Sequence, residues 1–141
     1  GAYMHHIQAG SVLDCFKHLV LIHVLSLMVV DDSPLFYLDA HAGAGIYDLQ
    51  CPQAKLHNNA EQGVKLLDRI RPNGFPSVPM PEPLVFYAKA LREYNESAHS
   101  GSDLRYYFGS PAWALKWLRP QDKAVVLEKC EDVYKDLKRN L

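Results

Sequence analysis

Residues 35–45 read Leu-Phe-Tyr-Leu-Asp-Ala-His-Ala-Gly-Ala-Gly, and this stretch decides the fold. Its first four residues form a continuous apolar run, which is typical of a strand buried on both faces. Asp39 ends the run, and His41 and the glycines Gly43 and Gly45 follow at once. A buried strand that breaks into a glycine-rich turn leads into the ligand site of many α/β proteins. The stretch therefore predicts an α/β fold with a ligand site beyond this strand.

A second apolar run, near the end of the chain, is also closed by an acid. Residues 124–127 are Ala-Val-Val-Leu and Glu128 follows, so we predict a second core strand over 124–128. Gly109-Ser110-Pro111 predicts a helix start, because serine is favoured at the N-cap and proline in the first helical position. Glu128 follows Ser110 by roughly the 20 positions at which a strand-end acid accepts the ribose hydroxyls of an adenosine. We therefore expect the two strands to be neighbours, with Asp39 and Glu128 at one edge of the sheet.

Hydrophobic spacing predicts that most of the remaining chain is helical. The first helix begins after Ser11 and is apolar almost all round beyond Leu19, which predicts burial on several sides. Residues 104–108 are weakly strand-like, and the prolines between 72 and 83 indicate an extended loop. Further helices are predicted over 58–71 (with Asn59 as its cap), 84–94 and 131–139.

The order of these elements predicts three segments. Residues 1–48 hold the first helix, the first strand and the glycine loop; residues 49–103 form a helical insertion; residues 104–141 continue the core. With two parallel strands alone, the predicted sheet has bare edges and an uncovered face.

Composition excludes several classes of protein. Of the 141 residues 48% are hydrophobic, and 15 basic residues face 16 acidic ones, giving a net charge of −1. These values exclude a disordered chain and a protein that holds nucleic acid by bulk charge. The longest apolar stretch, 19–30, is too short to span a membrane. The three cysteines lack a C-x-x-C spacing, which argues against a disulfide framework or zinc site and favours buried, reduced thiols in a cytoplasmic protein.

The glycine loop narrows the class of ligand. A dinucleotide-binding loop needs Gly or Ala where this chain has Asp48, and a carboxylate there would repel a phosphate. S-adenosylmethionine carries no phosphate, so the sequence favours it over NAD. A phosphate-binding P-loop is excluded because no G-K-[ST] follows.

Three separated motifs resemble those of the RlmJ family of bacterial 23S ribosomal RNA adenine methyltransferases. Residues 38–45 resemble the family's D-x-H-A-G-A-G loop, and residues 104–111 resemble its L-R-Y-Y-x-G-S-P motif. The N-terminal signature of the family is matched by Tyr3, His5, Ala9, Gly10, Asp14, Lys17 and His18. The resemblance implies a Rossmann-like class I methyltransferase fold with a helical insertion after the first strand, incomplete in this chain.

The resemblance also implies roles for single residues. It places His18, His41, Gly43, Ser110 and Glu128 on S-adenosylmethionine, and Tyr3, His5 and Lys17 near the target adenine or its RNA. Ser110 would offer a donor to an anionic carboxylate, Lys17 and Arg105 would neutralise phosphates, and Tyr3 would stack on an extruded base. The chain departs from the N-terminal signature at Met4, Gln8 and Ser11.

The family's catalytic D-P-P-Y motif has no counterpart, since no Pro-Pro dipeptide occurs in the sequence. We therefore interpret the chain as the N-terminal half of a longer enzyme, truncated before the catalytic motif, with no catalytic residue of its own and inactive alone. The full-length protein is expected to methylate the N6 amine of an adenine in 23S ribosomal RNA before ribosome assembly. We expect a cytoplasmic monomer without a metal or a membrane partner.

Two other functions stay open at this point. Some relatives in the family are associated with the use of external DNA as a nutrient, so the chain could bind nucleic acid without methylating it. A dinucleotide-binding domain is the third reading, disfavoured by Asp48.

Single residues have plainer readings as well. His18 could be a core histidine paired with Asp14, or could join Asp14 and His41 on a metal ion. The tryptophans Trp113 and Trp117 suit the core better than a stacking platform. The basic residues Lys65, Arg69 and Arg71 suit a solvated helix face better than an RNA-binding patch.

Overall fold

A computed structural model of the chain describes residues 4–70, 79–98, 101 and 103–141. The fold is mixed α/β, with two small sheets surrounded by helices. A 3₁₀ turn over His5–Ile7 precedes the first helix. The helices are α1 (Val12–Met28), α2 (Pro52–Lys55), α3 (Asn59–Gln62), α4 (Val64–Ile70), α5 (Glu82–Ser97), α6 (Ser110–Leu115) and α7 (Glu131–Asn140); the strands are β1 (Phe36–Asp39), β2 (Ile46–Asp48), β3 (Tyr106–Phe108) and β4 (Lys123–Val126).

The two predicted core strands are neighbours. β1 and β4 pair in parallel, with Phe36 opposite Lys123 and Asp39 opposite Val126. The ladder continues past the strand ends, because Leu127 N–H donates to the Asp39 carbonyl at 2.8 Å. The strand predicted over 124–128 is β4, which spans Lys123–Val126. The predicted bounds therefore lay too far towards the C-terminus. Asp39 and Glu128 thus follow adjacent strands at the same edge.

The outer surfaces of β1 and α1 are exposed, so the prediction of burial on several sides was wrong for both. In β1, Phe36 is 65% exposed, and in α1, Leu13 and Phe16 are 78% and 70% exposed. These two elements carry more apolar side chains than the described part of the chain covers. We call the uncovered apolar side chains of these two elements the exposed apolar face.

A second sheet, which sequence patterning missed, joins β2 to β3 in antiparallel orientation. Ile46 pairs with Phe108 and Asp48 with Tyr106. The ladder extends to Gly109, whose N–H donates to the Gly45 carbonyl at 2.7 Å. β3 is shorter than the predicted 104–108. This pairing ties the glycine loop directly to the start of α6.

The core lies between α1, α5, α6 and the β2–β3 sheet. Trp113 is fully buried and stacks on Tyr87 with ring centroids 5.0 Å apart. Trp117 packs half-buried against Phe86, with centroids 4.8 Å apart. The prediction that both tryptophans serve the core is confirmed. Aromatic stacking of this kind adds to the area that the rings bury.

Helices of the 49–103 segment begin and end at other residues than predicted. The single helix expected over 58–71 is two, α3 and α4, broken at Gly63. A Cβ on Gly63 would lie 2.2 Å from the Gly10 carbonyl oxygen, so the close approach of the chain before α1 requires the break. Asn59 does not cap the helix; its amide donates to the Ile7 carbonyl at 2.9 Å. α5 runs from Glu82 to Ser97, longer than predicted.

Charged groups on α3 and α4 pair with each other. Lys65 Nζ lies 3.2 Å and Arg69 Nη1 3.0 Å from the Glu61 carboxylate, which fits a solvated helix face. Arg71, residues 72–78 of the proline-rich loop and Tyr3 lie outside the described residues. Over the described ranges, no helix combines the length and apolar character needed to cross a membrane.

All three cysteines are free thiols. Cys15 is buried as predicted, whereas Cys51 and Cys130 are half-buried. Burial raises the pKa of the Cys15 thiol, which keeps it neutral and unreactive.

Candidate functional site

A cavity of about 570 Å³ opens beyond the carboxyl ends of β1 and β4. Its walls come from the glycine loop, the segment after β4, the start of α6, α1 and the 3₁₀ turn. Every described residue of the predicted site lines it: His5, Lys17, His18, His41, Gly43, Ser110 and Glu128. A volume of this size suits a small-molecule ligand of nucleoside dimensions.

Glu128 bridges the ends of the two parallel strands. Its Oε2 accepts a hydrogen bond from Gly43 N–H at 2.9 Å, and its Oε1 accepts one from Cys130 N–H at 2.8 Å. An ionised carboxylate has about four acceptor positions, so about two stay available for a ligand. The acid predicted from sequence spacing therefore borders the cavity with acceptor capacity left.

Gly43 needs to be glycine for two reasons. Its φ of +67° lies in the left-handed region, and a Cβ there would lie 2.0 Å from the Tyr47 hydroxyl. That hydroxyl accepts a hydrogen bond from Ala44 N–H at 3.2 Å. Tyr47 thus supports the glycine loop from inside, and sequence patterning gave no signal for this role.

Asp39 organises the start of the glycine loop and is itself fully engaged. Its carboxylate accepts hydrogen bonds from Ser110 Oγ at 2.5 Å, Tyr37 OH at 2.9 Å and His41 N–H at 3.1 Å. Burial, together with the Asp39 charge, raises the pKa of Tyr37 far above its usual value. The Ser110 hydroxyl hydrogen is therefore held by Asp39 in this structure, and the expected donation by Ser110 to a ligand carboxylate would break that bond.

His18 is completely buried in the cavity wall. Its Nδ1 lies 2.7 Å from the Tyr107 hydroxyl. Burial lowers its pKa from 6.5 to about 3, outweighing the attraction of Asp14, so the imidazole is neutral. His18 is thus a core histidine, but its hydrogen-bond partner is Tyr107 and not the predicted Asp14.

Asp14 holds both described members of the predicted substrate-binding set. Its Oδ2 lies 2.7 Å from His5 Nε2 and accepts Gly10 N–H at 3.1 Å, while its Oδ1 lies 3.3 Å from Lys17 Nζ. Burial raises its pKa, but His5 and Lys17 outweigh this and leave it below the usual value. The first turn of α1, capped by the Ser11 hydroxyl, fixes the carboxylate in place. Its role as an anchor was not predicted from sequence.

Asp48 lies away from the cavity, which corrects the argument built on it. It belongs to β2, and Arg105 donates to both of its oxygens, from Nε at 3.2 Å and Nη2 at 3.0 Å. Burial raises the pKa of Asp48, but the Arg105 hydrogen bonds outweigh this and lower it. Asp48 is therefore neutralised by Arg105 outside the cavity lining, and Arg105 is engaged by Asp48 instead of free for a phosphate.

A metal site is not formed by the histidine and carboxylate residues that the sequence singled out. Among the described residues, no group of three or more His, Cys, Asp or Glu side chains is placed to hold a metal ion.

Comparisons with known proteins identify the family of this chain. The sequence model of the family described as "Ribosomal RNA large subunit methyltransferase D, RlmJ" matches residues 32–141. The chain belongs to the RlmJ family. The resemblance drawn from the sequence motifs is thereby confirmed.

Two curated relatives carry the name Ribosomal RNA large subunit methyltransferase J. The protein of Haemophilus influenzae is 32% identical over 139 residues, which is 99% of this RlmJ-family chain and 46% of the relative. The protein of Escherichia coli K12 is 32% identical over 127 residues, 90% of this chain and 41% of the relative. The chain thus spans less than half the length of these relatives.

A solved structure has the same fold over nearly all of the chain. A crystal structure of a Legionella pneumophila protein superposes with a TM-score of 0.77 at 31% identity, covering 93% of this RlmJ-family chain and 44% of that one.

Proposed function

We propose that this chain is the cofactor-binding part of an S-adenosylmethionine-dependent enzyme that methylates the N6 amine of an adenine in 23S ribosomal RNA. One observation carries the proposal: a single cavity gathers all seven described residues of the predicted cofactor and substrate sets. Membership of a family whose curated relatives are named as ribosomal RNA methyltransferases supports it. A Rossmann-like class I core with residues 49–103 as its helical insertion is part of the proposal.

The residues present fit the cofactor. Glu128 keeps acceptor positions for the two ribose hydroxyls while it holds Gly43 and Cys130. His18 and His41 also line the cavity and offer imidazole nitrogens for polar contacts with a ligand. Gly43 allows the left-handed loop conformation in which its N–H reaches Glu128. When bound, S-adenosylmethionine supplies an activated methyl group. The role of the protein is then to hold donor and acceptor close together, which is the main source of catalysis in such a transfer.

Lys17 and His5 stand at the cavity where the nucleic acid would enter. Both are tied to Asp14, which fixes their positions relative to the glycine loop. The Lys17 ammonium is more than half exposed and carries the charge needed for a phosphate contact. We propose that these two residues, with Tyr3, contact the RNA.

Calorimetry with S-adenosylhomocysteine tests the cofactor assignment. We expect binding that Glu128→Ala or His41→Ala weakens about tenfold or more, since each removes a polar contact at the cavity wall. Glu93→Ala, on the exposed side of α5, is the matched control and should bind as the unmodified protein does. Binding of NAD instead of S-adenosylhomocysteine would contradict the proposal.

Methyl transfer to protein-free 23S ribosomal RNA tests the substrate. The assay uses labelled S-adenosylmethionine, and the product is identified as N6-methyladenosine after nuclease digestion. A full-length protein that binds the cofactor yet transfers no methyl group to this RNA would contradict the substrate assignment and favour the role in using external DNA.

A further inference from the structure

A chain of four buried polar groups runs from the core to His18. Cys15 Sγ lies 3.2 Å from Tyr87 OH, which lies 3.0 Å from Tyr107 OH, which in turn lies 2.7 Å from His18 Nδ1. Cys15 and His18 lie one turn apart on α1, and the packing of α5 and β3 against this helix brings the two tyrosines between them. Tyr87, Tyr107 and His18 are almost completely inaccessible to water.

The other ring nitrogen of His18 is buried as well. Among the described residues, Nε2 is buried and has no hydrogen-bond partner. His18 borders the cavity while Tyr107 stands behind it, outside the lining. Within the described structure, a bound ligand or an ordered water in the cavity is therefore what remains to satisfy Nε2.

Two directions of the hydrogen-bond chain are possible, and they give His18 opposite properties. Either Tyr107 donates to Nδ1 and the ring proton sits on Nε2, or Nδ1–H donates to Tyr107 and Nε2 is a bare acceptor. A phenol is a good donor and a weak acceptor, whereas a neutral imidazole nitrogen is a good acceptor. The 2.7 Å contact fits donation by Tyr107 towards His18. The Tyr87 hydroxyl has one hydrogen and lies within reach of both Cys15 Sγ and Tyr107 OH, so it reinforces this direction only when that hydrogen is donated to Tyr107 and Cys15 S–H donates to Tyr87.

We propose that Tyr107, supported by Tyr87, is a positioning residue that fixes His18 in the Nε2–H tautomer and so presents a donor to the cavity. The donor selects an oxygen acceptor of the ligand, such as a carboxylate, over a ligand N–H group. This last step rests on the proposed function, because it takes the cofactor's amino acid end as the acceptor. The tautomer itself is a property of the protein alone.

Nitrogen-15 NMR of the imidazole groups tests the tautomer directly. In the unmodified protein, His18 should show a protonated Nε2 and an unprotonated, hydrogen-bonded Nδ1; His18→Asn identifies the signals by their loss. Tyr107→Phe should shift the Nδ1 resonance and raise the share of the Nδ1–H form, and Tyr87→Phe should give a smaller change of the same sign. Tyr106→Phe, on the neighbouring position of β3 and on its other face, should change neither.

The tautomer of His18 is measured in the unmodified protein, so the test does not depend on whether a variant folds. An Nδ1–H tautomer in that protein overturns the proposal. So does a Tyr107→Phe variant that is folded by its amide spectrum and leaves both His18 resonances unchanged.

Binding of S-adenosylhomocysteine then links the tautomer to the ligand. If Tyr107→Phe leaves half of the molecules in the wrong tautomer, the affinity should fall about twofold or more, because only the competent fraction binds. Retained tautomer control in a protein that does not bind S-adenosylhomocysteine would defeat the cofactor assignment and leave the positioning role of Tyr107 intact. Full affinity in a Tyr107→Phe variant with mixed tautomers would overturn the link to the ligand.

Discussion

At the scale of single residues, Gly43 shows how strictly one position is determined. Its left-handed backbone and its contact with the Tyr47 hydroxyl exclude any side chain. Gly101 has a similar φ, +83°, but a Cβ there would meet no atom of the described residues within 4 Å. Comparing these two glycines therefore separates the cost of backbone strain, which they share, from the cost of steric overlap with Tyr47 at Gly43.

We expect Gly43→Ala to lower the free energy of unfolding by about 3 kcal/mol and Gly101→Ala by only about 1 kcal/mol. The difference is the cost of overlap with Tyr47, and Gly43→Ala should also weaken S-adenosylhomocysteine binding. Urea denaturation of the two variants measures the first effect. Equal losses in both variants would show that the glycine loop yields without disturbing Tyr47.

His18 makes stability depend on pH. Its pKa is lowered by burial from 6.5 to about 3, so the unfolded chain binds a proton in this range that the folded protein does not. The free energy of unfolding should therefore fall as the pH is lowered from about 6.5 towards 3, by at most about 1.4 kcal/mol per pH unit from this group. Above about pH 6.5 His18 is neutral in both the folded and the unfolded protein, so its effect on the free energy of unfolding no longer changes with pH.

His18→Asn should flatten this slope, because an amide can accept the Tyr107 hydrogen bond without titrating. His23→Asn, at an exposed position of the same helix, should keep the slope of the unmodified protein. Denaturation at a series of pH values compares them. An unchanged slope in His18→Asn would mean that other groups determine the acid sensitivity.

Residue-level prediction from the sequence placed residues correctly where their position follows from the end of a strand. Glu128 and the glycine loop fall into this class, since two short apolar runs place them at one edge. It failed for Asp48, because the partner that neutralises this carboxylate, Arg105, is distant in sequence and meets it only through the β2–β3 pairing. Tyr107 was missed as an anchor for the same reason, since His18 is distant from it in sequence.

At the scale of elements, local pattern and packing conflict at Gly63. Helix periodicity runs without interruption through 58–71, and on propensity alone Gly63→Ala would stabilise the protein by about 1 kcal/mol. In the structure a Cβ there would lie 2.2 Å from the Gly10 carbonyl oxygen and 2.8 Å from Val12 N. Both are backbone atoms, which a rotamer change cannot move away.

We therefore expect Gly63→Ala to destabilise the protein by about 2 kcal/mol or more, opposite in sign to the propensity effect. Gln62→Ala, one position earlier and exposed, should be close to neutral. Thermal and urea denaturation give the comparison. A stabilised Gly63→Ala variant would show that α3 and α4 can merge and that the break is not required.

Strand β2 was not predicted because three residues are too few to show a period of two. Ile46-Tyr47-Asp48 becomes a strand only through its pairing with Tyr106–Phe108. By contrast, β1, β4 and α1 were predicted from long apolar runs with clear ends. The burial of their faces was predicted wrongly, because a sequence shows that an element is apolar but not what covers it.

At the scale of the whole molecule, the exposed apolar face is the largest departure from an ordinary globular surface. Leu13 and Phe16 on α1 and Phe36 on β1 are each well over half exposed. Exposed apolar side chains of this kind promote association. The 141-residue chain should therefore associate in a concentration-dependent manner, against the monomer expected from the sequence.

Replacing Leu13 and Phe16 together by Gln should lower this association several-fold while preserving the helix, because Gln is a good helix former. Leu56→Gln, an exposed leucine after α2, is the control. Sedimentation velocity at several concentrations measures the effect. If the double variant associates as strongly as the unmodified chain, this face does not drive the association.

Glu128 has one more consequence, which concerns the gap between the two strand tips. Its carboxylate accepts hydrogen bonds from Gly43, which follows β1, and from Cys130, which follows β4. Any motion that widens the gap between the two strand ends must therefore break a charge-assisted hydrogen bond. The mouth of the cavity therefore has its width set before a ligand arrives. Less ordering is then left to the binding step, which favours tight capture of a rigid nucleoside.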